Sequence, residues 1–139
     1  MRDAIITRMK TRFESYRDIA NMVDDNGVQA RIDVPKHKSL SEHIWCVVGA
    51  RESYAKALVD GEWAGFACSM DSCTSSDCRQ KLESSAREVI SAIEGVSEWT
   101  DARNDLLLAL NEHEVMHEGQ IIRHLYGLEL EIPPSVSWA

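Results

Sequence analysis

The sequence lacks most features that mark a protein as exported, membrane-bound or bound to nucleic acid. Its apolar residues form only short runs, and the first residues lack the basic stretch and apolar segment of a signal peptide. The 15 basic residues are scattered along the chain and are outnumbered by 23 acidic ones, which gives a net charge of -8. Neither nucleic acid nor an anionic membrane is therefore an expected partner, and we expect a cytoplasmic protein.

Prolines and paired cysteines are also scarce. The three prolines lie outside every helical pattern, which leaves room for long uninterrupted helices. The four cysteines include no CxxC pair of the kind used by zinc ribbons and redox proteins. A loop could bring Cys68, Cys73 and Cys78 together around a metal ion, but reduced thiols are the expected state in a cytoplasmic protein.

Apolar residues recur at three- and four-residue spacing in four long segments, which predicts four amphipathic helices. They run from about Arg2 to Val23, Ser39 to Gly61, Asp77 to Gly95 and Asp101 to Tyr126. The second begins with the SxxE form of a capping box. Strand signals are almost absent, since only residues 28–34 alternate even loosely. We therefore predict an all-α four-helix bundle in a single domain over residues 1–139.

A polar segment from Glu62 to Ser76 separates the second and third predicted helices. It is rich in Gly, Ser, Thr, Cys and Asp, and it contains Trp63 and Phe66. This composition predicts an ordered loop held by its aromatic residues, and such a loop could form the wall of a pocket. Trp45 and Trp99 are also expected to be packing residues near the ends of the bundle.

Three histidines fall on inward-facing positions of two predicted helices. His113 and His117 are four residues apart, so both imidazoles lie on one face of the fourth helix, and His43 lies on the apolar stripe of the second. Burying a polar group without a partner costs about 1–3 kcal/mol, a penalty that a shared divalent ion would remove. The set predicts an open metal site, although helical spacing indicates which way each histidine faces and not its depth in the bundle.

Three other polar residues, Gln120, His124 and His37, are not predicted to bind the metal ion directly. Gln120 lies about one turn beyond His117, and it could orient a ligand or a bound water, or be a buried amide bonded to backbone. His124 faces the same way as His113 but lies about 16 Å farther along the helix axis, too far to share its ion. His37, between two lysines, is expected to be solvated.

Residues 113–117, with the sequence HEVMH, also match the HExxH motif of zinc proteases, in which Glu114 would act as general base. A zinc protease of that type places its helix beneath a sheet edge and takes a third ligand downstream, and this sequence predicts no strand. We therefore expect Glu114 on a solvated face of the helix. Replacing it with glutamine should abolish activity only in a peptidase.

The carboxyl-terminal run HEVMHEGQIIRHLYGLELEIPP, together with the histidine at the start of the second helix, resembles the DinB-like (damage-inducible, YfiT-type) family. The resemblance spans nearly the whole chain, and its most specific element is the HxxxHxGQ signature. It implies up-down-down-up topology, frequent homodimers and a divalent ion, zinc or nickel, held by His43, His113 and His117. The sequence differs from the commonest pattern at Glu114, Met116 and Glu118, positions expected at the rim of the site.

The function implied by this resemblance is transfer of a low-molecular-weight thiol, such as bacillithiol or mycothiol, onto a small electrophile. A metal with neutral ligands can activate a thiol at neutral pH, and no serine, cysteine or lysine has an evident paired base. The nucleophile is therefore expected to arrive with the substrate. The alternatives are a catalytically silent bundle stabilised by the metal and, least favoured, an HExxH-type peptidase.

Overall fold

A computed structural model describes residues 1–136 as a helical protein without strands. Four of its five α-helices are long and correspond to the four segments predicted from apolar spacing. The elements are α1 (Arg2–Met22), α2 (Asp25–Gln29), α3 (Leu40–Asp60), α4 (Ser75–Gly95), α5 (Asp101–Gly127) and a closing 3-10 turn (Pro134–Val136). Within the described residues, no helix is long and apolar enough to cross a membrane.

Polar side chains at the helix starts explain why these segments begin where they do. At the start of α3, the Ser39 hydroxyl accepts from the Glu42 amide while the Glu42 carboxylate accepts from the Ser39 amide. This reciprocal pair confirms the predicted capping box. The hydroxyls of Thr74 and Thr100 accept from backbone amides in the same way at the starts of α4 and α5. Gly61 ends α3 with a φ of 85°, a left-handed conformation that glycine adopts without strain.

The long helices are arranged up, down, down and up, as the family resemblance implied. Arg2 Nε donates to Asn104 Oδ1 at 3.1 Å, which places the starts of α1 and α5 at the same end of the bundle. Arg103 Nε donates to the carbonyl of Leu58, so the end of α3 lies at that end too. The Ser75 amide at the start of α4 donates to Asp25 Oδ1, just beyond the end of α1, so α4 starts at the opposite end and runs in the same direction as α3. Both α1 and α3 pack against α4 and α5. Helices α1 and α3 therefore lie at diagonally opposite corners of the bundle, and α4 and α5 occupy the other two corners.

The core consists of two clusters, one towards each end of the bundle. The cluster near the starts of α3 and α4 includes Tyr16, Ile44, Leu82, Ile121 and Leu125. The other lies near the start of α5 and includes Met9, Leu58, Val89, Leu107 and Leu110.

The two segments outside the long helices differ in how well their structure was predicted. Residues 62–74 form an extended loop held against α3 by ring contacts of Trp45 with Phe66 and of Tyr54 with Trp63. This confirms the prediction of an ordered loop held by aromatics. The loose alternation at residues 28–34 is not a strand, because Asp24 caps the short helix α2 through the Gly27 amide instead.

Candidate metal centre

Helices α3 and α5 bring the imidazoles of His43 and His117 together. The Nδ1 atoms of the two rings lie 3.2 Å apart, and both residues are about 5% exposed. The ring of His113, one turn earlier on α5, lies with its centroid 4.5 Å from that of His117. His43 therefore lies at the same depth in the bundle as His117, a point that the sequence left open.

Burial favours the neutral form of all three imidazoles. Burial lowers the pKa of His43 and of His117 to about 4, from an ordinary value of 6.5, and nearby positive charge adds to the effect. Burial also lowers the pKa of His113. Neutral imidazole is the form that binds metal ions, so these ligands need not lose a proton before they coordinate.

The three histidines meet only part of the geometry that a metal ion requires. As the side chains stand, no three His, Cys, Asp or Glu residues within 1–136 form a complete metal-binding group. Two nitrogens bound to one tetrahedral zinc ion lie about 3.3 Å apart, however, close to the separation of the His43 and His117 Nδ1 atoms. The Nδ1 atom of His113 is buried without a hydrogen-bond partner among the described residues. The separation of the His43 and His117 Nδ1 atoms is therefore that of two ligands of one ion, whereas the ring of His113 does not complete a group of three with them as it stands.

A cavity of about 640 Å³ opens beside His43 and His117. Its walls come from α5 and from the segment that leads into α3, and they are formed by Lys36, His37, Lys38, His43, Met116, His117, Gly119, Gln120 and Arg123. Gln120 thus lies at the cavity, and it is exposed and not a buried amide. The loop between α3 and α4 contributes none of these residues; through Glu62 and Trp63 it lines a different cavity instead.

Glu114 is fully buried, which corrects the expectation that it lies on a solvated face. Its two carboxylate oxygens accept from Nε and Nη2 of Arg51 at 2.7 and 2.8 Å. Arg51 also donates to the carbonyl of Leu82, and its guanidinium lies over the rings of Phe13 and Tyr16. The carboxylate is therefore engaged on both oxygens and faces the bundle interior.

Glu118 is likewise buried and does not lie at a solvated rim. It is 2% exposed, and its Oε2 atom accepts from Nη1 of Arg12 at 2.6 Å. The Tyr16 hydroxyl donates to the backbone carbonyl of Glu114 at 2.7 Å, between the two ion pairs. Of the three positions that differ from the family pattern, only Met116 is exposed and faces the cavity.

The two remaining histidines extend the cluster away from His113. The ring of His124 is fully buried, with its centroid 6.3 Å from that of His43 and 5.0 Å from that of His37. His37 is half-buried, and its Nδ1 atom lies 2.9 Å from the carbonyl of Lys38. The expectation that His37 is solvated therefore holds only in part.

Comparison with known proteins identifies the fold. No protein-family model matches the sequence, and a search of curated proteins gives no match. Among solved structures, the chain is similar to the crystal structure of a DinB-like protein from Bacillus cereus ATCC 10987. The TM-score is 0.72 at 16% sequence identity, over 94% of this chain and 95% of that one. The chain therefore has a DinB-like fold, which confirms the predicted helical bundle.

Proposed function

We propose that the protein binds one divalent ion, Zn²⁺ or Ni²⁺, through His43, His113 and His117, with at least one position left to water. We propose further that it transfers a low-molecular-weight thiol of the bacillithiol or mycothiol type onto a small electrophile. The observation that carries the proposal is the approach of two neutral, buried imidazoles from different helices to 3.2 Å at the base of a cavity.

A divalent ion held by neutral ligands lowers the pKa of a thiol or water in contact with it and so supplies a nucleophile at neutral pH. The chain's own residues would hold and orient the reactants. None of the residues that line the cavity is a serine, threonine or cysteine. The nucleophile is therefore expected to be the thiol of the substrate.

The buried position of Glu114 argues against the peptidase alternative. A general base must reach the water that it activates, whereas both oxygens of Glu114 accept from Arg51 in the bundle interior. In addition, residues 1–136 form no strand against which an extended peptide could align. The match to HExxH is thus explained by two histidines and a structural carboxylate on adjacent faces of one helix.

Metal content tests the first part of the proposal. Protein purified without a polyhistidine tag should contain about one equivalent of zinc or nickel by elemental analysis, and His117→Ala should lose most of it. His37→Ala is the matched control, since it removes a histidine that is not one of the proposed ligands and should retain the metal. Equal metal content in wild type and His117→Ala would refute the site.

Turnover tests the second part. The wild type is assayed with bacillithiol, mycothiol, glutathione and coenzyme A, each with a haloalkyl acceptor, with and without added Zn²⁺ or Ni²⁺. Metal-dependent transfer above the solution rate for at least one thiol supports the proposal. If no thiol reacts while chelation lowers the free energy of unfolding, the metal only stabilises the bundle and the proposed transfer is wrong.

A further inference from the structure

The cavity beside the histidines is positively charged in a protein that is acidic as a whole. Lys36, Lys38 and Arg123 line it, and no aspartate or glutamate does. The chain carries a net charge of -8, so three cations without an acid in one cavity are opposite in sign to the rest of the molecule. Such a local reversal of charge concentrates anions at the site.

Acidic side chains nearby do not neutralise these cations. Within the described part of the chain, no carboxylate forms an ion pair with Lys36, Lys38 or Arg123. Lys38 Nζ donates to the Cys46 thiol at 3.2 Å, a neutral partner that leaves the charge of the lysine uncompensated.

Two acids that are adjacent in the chain to proposed ligands, Glu42 and Glu114, are engaged elsewhere. Glu42, whose charge reaches His43, is bound by Arg31 at 2.6 Å and by the amide of Ser39. Glu114, whose charge reaches His113, is bound by Arg51. Among residues 1–136, therefore, no carboxylate is paired with the three cations of the cavity.

The segment that carries two of the cations is held in a specific conformation. Lys36 has a φ of 63°, a left-handed conformation that non-glycine residues seldom adopt. Arg31 Nη1 donates to the carbonyl of His37 at 2.7 Å and ties the segment in place. Backbone of this kind is common where a chain is shaped around a ligand.

We propose that the substrate carries a carboxylate or phosphate group that binds among Lys36, Lys38 and Arg123, while its reacting atom lies at His43 and His117. This inference rests on the proposed function, because it takes the cavity as the substrate site. Arginine and lysine are the residues that bind both oxyanions. A cavity of about 640 Å³ has the volume of a small-molecule site.

A matched pair of thiols tests the charge requirement directly. Isothermal titration compares 3-mercaptopropionate with its neutral analogue 3-mercaptopropanamide, on wild-type protein with and without Zn²⁺. We expect the acid to bind about tenfold more tightly than the amide, with the difference reduced at high salt. Succinate and inorganic phosphate are then added as competitors, and the stronger one identifies whether the site prefers carboxylate or phosphate. Equal binding of acid and amide, or no binding of either, would overturn the inference.

Two variants locate the effect within the cavity. Lys36→Gln and Arg123→Gln should each weaken binding of the acid about three- to tenfold and leave binding of the amide unchanged. Arg8→Gln and Lys10→Gln remove the same charge from exposed positions on α1 and should change neither. If the α1 controls weaken binding as much as the cavity variants, the selectivity arises from net charge and the inference is wrong.

The metal content of the same preparations separates this inference from the proposed function. Selectivity for the acid in a protein that binds no metal would leave the anion site standing and refute the metal centre. A full equivalent of bound metal with no preference between acid and amide would refute the anion site and leave the metal centre standing.

Discussion

Replacing Glu114 with glutamine should destabilise the protein whatever reaction it catalyses. The carboxylate is fully buried and neutralises Arg51, which is also fully buried and cannot reach water. In Glu114→Gln the amide can still accept one hydrogen bond, but the guanidinium keeps its charge in the bundle interior. The sequence predicted that only a peptidase would be sensitive to this change, and the buried ion pair removes the basis for that prediction.

The size of the effect follows from the desolvation of Arg51. Breaking a buried pair by removing one partner costs about 3–5 kcal/mol, because an uncompensated charge remains inside. A domain of this kind is stable by about 5–15 kcal/mol, so the variant should fold but unfold at much lower denaturant. In the double variant Arg51→Met with Glu114→Leu both charges are gone, and stability should range from that of the wild type to about 4 kcal/mol above it.

Urea unfolding of metal-free protein, followed by tryptophan fluorescence, measures these differences without a contribution from metal binding. The matched control is Glu83→Gln, which breaks the exposed pair between Glu83 and Arg87 and should cost less than about 0.5 kcal/mol. A loss of less than about 1 kcal/mol in Glu114→Gln, or a double variant less stable than the single one, would refute this reasoning.

Two further predictions concern pH and the packing of the loop between α3 and α4. In metal-free protein, stability should fall as pH drops from about 6.5 towards 4, because His43 and His117 have folded pKa values of about 4 and the unfolded chain takes up their protons first. Urea unfolding at a series of pH values checks this, and a profile that is flat over that range would contradict it. Gly49→Ala should cost about 1–3 kcal/mol, because the added Cβ would lie 2.3 Å from Phe66 Cζ and 2.8 Å from Cys68 Cβ. In a Phe66→Ala background, where the ring is absent, Gly49→Ala should cost less free energy of unfolding than it does in the wild type. The same cost in both backgrounds would show that the ring is not the obstacle.

The long helices were predictable because apolar periodicity repeats over many turns. The first was predicted to end at Val23 and ends at Met22, and the second has the predicted capping box. The start of α4 was placed two residues late, because the cap is the hydroxyl of Thr74 and the apolar stripe begins only later. The five-residue α2 is too short for any period, so only its Asp24 cap could have indicated it.

The burial of the two acids on α5 was not predicted from the sequence. Glu114 lies four residues after Leu110 and Glu118 lies three residues before Ile121, so helical spacing puts both on the buried face of α5. A charged side chain is seldom buried unless it is paired, and here an arginine on another helix pairs with each. The partners are Arg51 and Arg12, which lie 63 and 106 residues away in the chain. Helical spacing reports which residues share a face, whereas pairing across helices depends on how the bundle closes. The cations of the cavity were missed for the same reason.

The same contacts bear on the geometry of the histidines. On α5, His117 and Glu118 are adjacent residues about 100° apart around the axis, so a rotation of the helix moves both. The pairs of Glu114 with Arg51 and of Glu118 with Arg12 fix α5 against α3 and α1 respectively. They therefore hold its rotation, and with it the separation of His117 from His43. Two ion pairs that involve neither histidine thus hold His117 against His43, the arrangement on which the proposed metal site depends.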